Sequence, residues 1–249
     1  MNRSFNIMKV VGIIGYKKSG KTTLLIKLAK ELLDRGYQVA AIKHISGNID
    51  VSNSDTSKYK KYLSQIAAVT DKESVFYVES KSSLEEIIKY FKADIILVEG
   101  FKREKTFPKI VCLRKEEERD ELFDGLQIGT AGFLSKDTDS NIFDFNILED
   151  EDIKKIADIV LEKSFKLPNL NCGACGYQEC YGLAREIVKG NKTFDNCLSL
   201  EPSTLVKVDG KTISMNPFIS KLVKNTIIGL LSSLKGFIKG DIEIKIKQK

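Results

Sequence analysis

The sequence predicts an α/β protein, in which a doubly wound, mostly parallel sheet is joined to a second, small α+β domain. Three observations carry that expectation. The opening forty-odd residues read as strand, glycine-rich loop, helix, strand; further short apolar runs follow, separated by helix-like segments; and near residue 167 the composition breaks before a cluster of cysteines.

Each element follows in order. Residues 10–14 are an apolar run short enough for a buried strand. Residues 22–35 place Leu24, Leu25, Leu28, Ala29, Leu32 and Leu33 at helical spacing, and Gly36 stops that helix. Residues 38–42 give a second strand, so the unit is βαβ, which joins parallel strands through a crossover helix. Strands are expected at residues 74–78, 94–99, 109–113 and 126–131, and helices at 56–66, 82–91 and 150–163. Beyond the cysteines, two short runs flank Asp209 and Gly210, a dipeptide that favours a two-residue hairpin turn. Pro217 opens a segment with Phe218, Leu222, Val223, Ile227, Leu230, Leu231 and Leu234 on one helical face. Ile242, Ile244 and Ile246 alternate with charged residues and predict a closing strand. The domains expected are residues 1–165, a four-cysteine module at 166–200, and a hairpin, helix and strand at 201–249 packed on that module.

Composition narrows the class. At 249 residues with 42% hydrophobic and 30% charged residues, the chain lies far from the disordered regime. No run approaches eighteen consecutive apolar residues, so a cytoplasmic protein without a membrane span is expected. Of five cysteines, four lie between Cys172 and Cys197, which argues for a thiolate site in a reducing compartment rather than a disulfide framework. The net charge of +6 resides wholly in residues 203–249, where nine lysines face Asp209, Asp241 and Glu243. Those lysines lack interleaved arginines or aromatic stripes and read as a solvated face rather than a nucleic-acid or membrane surface, with an acidic protein partner as the alternative.

The most specific motif runs from Gly15 to Thr23. Gly15, Tyr16, Lys17, Lys18, Ser19, Gly20, Lys21, Thr22 and Thr23 spell GxxxxGK[ST] between a strand and a helix, the setting a phosphate-binding P-loop requires. Gly15 and Gly20 let the backbone wrap its N–H groups inward, and the following helix adds the positive end of its dipole. Lys21 is expected to reach the β- and γ-phosphates, and the Thr22 hydroxyl to bind Mg²⁺. A second carboxylate should stand at the end of a neighbouring strand, and Glu99 closes the run DIILVE there. Glu99 is therefore expected to hold the metal or orient water.

The stretch VVGIIGYKKSGKTTLLIKLAKELLDRGYQVAAIKH, with Asp55, DIILVEGFKRE and a lysine-led strand after it, resembles the MobB family, nucleotide-binding adapters of molybdopterin guanine dinucleotide synthesis. The resemblance covers residues 9–163. It implies GTP binding with at most weak hydrolysis, Mg²⁺ dependence, and Lys43, His44, Asp55 and Lys102 near the nucleotide or the pterin. It implies as partner the guanylyltransferase of molybdenum (or tungsten) cofactor synthesis or an apo-molybdoenzyme, and a homodimer is a candidate assembly. Residues 135–139 (SKDTD) match the usual guanine-reading tetrapeptide poorly, so the choice of GTP over ATP rests on the resemblance. Tyr16 stands where related loops carry a signature lysine. His44, the sole histidine, reads by itself as a packed or solvated side chain.

Cys172, Cys175, Cys180 and Cys197 form CxxC followed by gaps of four and sixteen residues. Four thiolates can enclose zinc or an iron–sulfur cluster. The run LPNLNCGACGYQECYGLAREIVKG is similar to [4Fe–4S] domains of electron-transfer and corrinoid proteins, and Gly173, Gly176 and a helix over residues 179–189 suit an anionic cluster. Cys112, within an apolar strand, reads as a packed thiol. The leading expectation is a GTP-binding maturation factor whose cluster serves docking or redox sensing. The alternatives are an electron-transfer protein gated by nucleotide and a nucleotide-driven metal carrier.

Overall fold

A computed structural model of the chain describes residues 9–45, 59, 62–79, 82–133, 142–200, 204, 206–208, 211–213, 215–238, 240, 242–244 and 246. It divides into two compact units, Met1–Lys166 and Leu167–Lys249.

In the first unit the chain runs β1 (Lys9–Gly15), α1 (Lys21–Asp34), β2 (Val39–Lys43), β3 (Gln65–Val69), β4 (Ser74–Val78), α2 (Leu84–Ile88), β5 (Ile95–Glu99), β6 (Lys109–Cys112), α3 (Glu118–Leu122), β7 (Gln127–Gly132), β8 (Phe145–Asn146) and α4 (Asp150–Lys163). Six strands form one parallel sheet in the order β2-β5-β1-β6-β7-β8. Connections leave β1 in both directions, so its C-terminal end is the switch point where open α/β sheets take their ligands. The register lines up Ile13, Lys43 and Glu99 across three adjacent strands.

Both faces of the sheet are covered, the requirement that makes its strands continuously apolar. On one face Leu24, Leu28 and Leu32 of α1 meet Ile153, Ile156, Ala157 and Val160 of α4 over Val11, Ile13, Leu97 and Ile110. On the other, Leu84 and Ile88 of α2 close with Phe107 over Val10, Ile42, Ile96 and Val98, and Leu122 of α3 covers Ile14 and Val111. The doubly wound sheet is thus as the sequence predicts.

Several elements differ. Helix 56–66 does not extend through its described C-terminal part, because Gln65 and Ile66 open β3, which pairs antiparallel with β4 in a separate two-stranded sheet. An antiparallel ladder from Gln65 to Val69, closed by a Thr70–Glu73 turn, outweighs helical spacing here. The expected strand at 74–78 is present, but in that hairpin. The helix expected over 82–91 shortens to α2, started by a capping box between Ser83 and Glu86.

The second unit contains α5 (Cys180–Val188), a single 3₁₀ turn at Phe194–Asn196, β9 (Val206–Val208) paired antiparallel with β10 (Lys211–Ile213), and α6 (Pro217–Ser232). Asn216 caps α6 through its side chain, with Pro217 at the first turn. Two expectations fail in this tail. Residues 242–244 and 246 form no ladder, since alternation supplies a face but not a partner edge. The apolar row of α6 is open rather than packed: Phe218, Leu222 and Leu230 are exposed, and Ser220 is its one buried residue. Among the described residues no helix is long and apolar enough to cross a membrane.

Candidate functional site

The loop between β1 and α1 is shaped by backbone that only particular residues tolerate. Gly15 (φ 153°) and Gly20 (φ 87°) adopt positive φ, and an added Cβ would come within 2.4 Å of Cys112 O at the first and of Ile147 at the second. Lys18 is left-handed as well, at φ 66°. Helix α1 begins with Gly20 as its cap, without a side-chain cap bond and without an acidic residue in its first turn. Its leading N–H groups and dipole are therefore free for an anion, whereas α2 spends its own on Ser83. Ser19 Oγ lies buried in the turn and has no hydrogen-bond partner among the described residues. A cradle closed to Cβ atoms, an orphaned hydroxyl and an uncapped helix end fit a phosphate chain.

The charged groups converge on that cradle. Lys21 Nζ donates to Tyr16 O at 2.6 Å, folding back across the loop. Thr22 Oγ1 lies 3.1 Å from each oxygen of Glu99, and Lys43 Nζ is 3.3 Å from the same carboxylate. Glu99 is largely buried, so Thr22 and Lys43 offset the cost of its charge. A hydroxyl facing a strand-end carboxylate is the donor set a hard divalent cation requires. His44 donates its backbone N–H to Glu99 O at 2.9 Å, and its exposed ring tilts against Phe101 at 4.8 Å. Lys102 Nζ sits 3.8 Å above the Tyr16 ring, and burial together with the charge of Lys21 holds its pKa below the usual lysine range. Lys17, Lys18 and Thr23 are exposed around the loop. Asp55 and residues 135–139 lie outside the described residues.

Other residues serve the site without showing themselves in the motif. Arg114 donates Nη1 to Lys17 O at 3.1 Å and is held by Glu118, which is buried and bonded to its Nε at 2.7 Å. Lys109 is fully buried in β6, where Nζ bonds Asp124 at 2.5 Å and Lys102 O at 2.9 Å. Burial alone would raise the Asp124 pKa, but Lys105 and Lys109 hold it below the ordinary carboxylate range. The available signal was a lysine leading an otherwise apolar strand.

In the second unit Cys172, Cys175, Cys180 and Cys197 line a single hollow with Gly173, Tyr177, Leu198 and Ser199. Gly173 (φ 71°) and Gly176 (φ 90°) turn the CxxC segment with open space around them, and Asn171 Oδ1 accepts the Cys180 N–H at 2.8 Å to start α5. Burial would raise the Cys172 thiol, but Ser199 Oγ at 3.3 Å and nearby N–H groups bring it below its ordinary value. Burial pushes Cys197 up, and the other three cysteines add to the shift, a mark of their proximity. Four thiols around one hollow, flanked by left-handed glycines, fit a polynuclear centre. Cys112 stands apart, fully buried, with its thiol pushed up to about 12 by burial.

Comparison with known proteins decides the family. A Methanocaldococcus jannaschii protein provisionally named a molybdopterin-guanine dinucleotide biosynthesis adapter protein is 33% identical over 241 residues, spanning 92% of this chain and 93% of the relative. The chain belongs to the MobB family. The family model described as molybdopterin guanine dinucleotide synthesis protein B matches residues 10–129, and a second model, described provisionally as an Fe–S cluster, matches residues 167–199. A Haemophilus influenzae adapter protein of the same name is 38% identical over 119 residues, covering 45% of this chain and 66% of that protein. The crystal structure of Bacillus subtilis MobB shares the fold, with a TM-score of 0.51 and 18% identity over 61% of this chain and 97% of that one. The sheet, its P-loop and the MobB segment therefore fall within the first unit, and the Fe–S match falls on the four-cysteine segment.

Proposed function

We propose that this chain is a GTP-binding adapter, or maturation factor, in the synthesis of molybdenum or tungsten molybdopterin guanine dinucleotide cofactor. The arrangement that carries this reading is Lys21, Thr22 and Glu99 around an uncapped helix end, in a chain whose relatives bear the adapter name. Gly15, Ser19, Gly20 and Thr23 would line the phosphates, with Lys17 and Lys18 at the rim. Lys21 would leave the Tyr16 carbonyl for the phosphate chain. Thr22 and Glu99 would share Mg²⁺, which supplies charge neutralisation at the phosphates. Glu99 is engaged by Thr22 and Lys43, which favours holding metal over taking a proton from water, so turnover should be slow. The same reading puts Lys43, His44, Asp55 and Lys102 near the nucleotide or pterin.

The four cysteines would hold a [4Fe–4S] cluster that serves docking or redox sensing. The partner would be the guanylyltransferase of the same synthesis or an apo-molybdoenzyme, and a homodimer is part of this proposal. Anaerobically purified protein should bind GTP more tightly than ATP, require Mg²⁺, and carry iron and sulfide; titration calorimetry with metal analysis tests all three. Equal affinity for both nucleotides would remove the guanine assignment, and zinc in place of iron would remove the cluster.

A further inference from the structure

Two ammonium groups near the P-loop are held by one residue that the foregoing reading leaves without a role. Tyr16 receives Lys21 Nζ on its carbonyl oxygen at 2.6 Å and Lys102 Nζ over its ring at 3.8 Å, while its hydroxyl donates to Glu121. Arg114 approaches the same ring at 5.5 Å but is already committed to Glu118 and Lys17 O. Among the described residues neither Lys21 nor Lys102 forms an ion pair. A lysine resting on a carbonyl or a ring face has a weaker partner than a phosphate oxygen, so both are poised to exchange it for an anion.

Lys102 reaches this place because the β5–β6 loop is fixed from beneath. Gly100 (φ 93°) and Phe101 (φ 50°) both take left-handed backbone, which a residue with a Cβ keeps only where its surroundings enforce it. Phe101 packs on His44, and the carbonyl of Lys102 accepts the fully buried Lys109 ammonium at 2.9 Å. An interior cation bonded at once to Asp124 and to a loop carbonyl fixes the loop's path. That path points the Lys102 side chain back over Tyr16.

We infer that Lys102 is a second phosphate-binding cation of this site, positioned by the Tyr16 ring, and that Lys21 and Lys102 together select a nucleoside triphosphate over the diphosphate. The inference rests on the nucleotide-binding reading above. Its physical basis is charge: the terminal phosphoryl group brings the added negative charge, and Lys102 supplies a matching ammonium beside the one the motif provides. The pKa depression at Lys102, caused by burial and by Lys21, is relieved by an arriving anion.

The test measures GTP and GDP affinities with Mg²⁺ on the full chain by calorimetry, for wild type, Lys102→Met, Tyr16→Phe, Tyr16→Leu and the Tyr16→Leu/Lys102→Met double variant. Lys102→Met should weaken GTP by about tenfold while sparing GDP. Tyr16→Leu should reproduce that selective loss, Tyr16→Phe should retain wild-type discrimination, and the double variant should bind GTP no more weakly than Lys102→Met. Equal weakening of both nucleotides, or none, in Lys102→Met overturns the inference and leaves the P-loop reading standing. Additive losses in the double variant overturn the positioning role of Tyr16. Wild-type protein that binds neither nucleotide overturns the underlying reading, and the inference with it.

Discussion

Single side chains at the loop carry separable tasks. Lys21 rests on a backbone carbonyl and contributes nothing to the core, so Lys21→Ala should leave thermal unfolding unchanged while weakening GTP by roughly 10- to 100-fold, the worth of a charge-assisted bond. Calorimetry and a melting curve on the same sample check both halves. Glu99 differs, because it is largely buried and bonded to Thr22 and Lys43. Glu99→Gln keeps the shape but removes the charge, so binding should survive while the Mg²⁺ requirement flattens in a magnesium titration. An unchanged magnesium dependence would exclude Glu99 from the metal site. Of these residues, the motif itself exposed Gly15 through Thr23, since phosphate binding needs a contiguous loop. Tyr16, Arg114, Glu118 and Lys109 act through contacts separated by up to a hundred residues in sequence, and no local pattern encodes such pairings.

At the scale of elements, charge placed at helix starts and inside strands sets local stability. Asp152, in the first turn of α4, accepts the Asn146 N–H at 2.9 Å and pairs with Lys155 at 3.0 Å; these partners, the backbone N–H foremost, lower its pKa. A depressed carboxylate pKa stabilises fully above the unfolded value near about 3.9 and loses that contribution as pH falls through the folded value. Asp152→Asn should therefore lower the melting temperature at neutral pH and shrink the gap to wild type in strong acid, as pH-dependent calorimetry would reveal. Lys109→Met takes the fully buried ammonium away from Asp124, and breaking a buried pair costs about 3–5 kcal/mol, measurable by urea unfolding. The central strands β1, β5 and β6 were legible because burial on both faces makes them nearly continuously apolar. Strand β4 was legible at residues 74–78, but β3 and its pairing were not: with Val69, Val75, Phe76 and Val78 all exposed, the hairpin reports no burial from which a face could be read. The two-residue β8 and five-residue α3 are too short to show any period.

For the whole molecule, the division after Lys166 governs how damage spreads. Small metal-binding modules draw much of their folding free energy from the metal, while the sheet unit has its own core between α1, α4 and the strands. Cys175→Ser should accordingly lose iron and visible absorbance yet bind GTP as wild type does; anaerobic iron analysis beside calorimetry checks this, and collapse of both properties would contradict independence of the units. In the sequence, cysteines, asparagines and a proline replace the alternating strands and helices from Leu167 onward. The open apolar row on α6 was not legible, since amphipathic spacing tells which residues share a face but not whether anything covers it. The division also has a consequence at the bench. If the proposed cluster is lost in air, the P-loop should still pass every nucleotide assay, so binding there would certify the first unit and say nothing of the second.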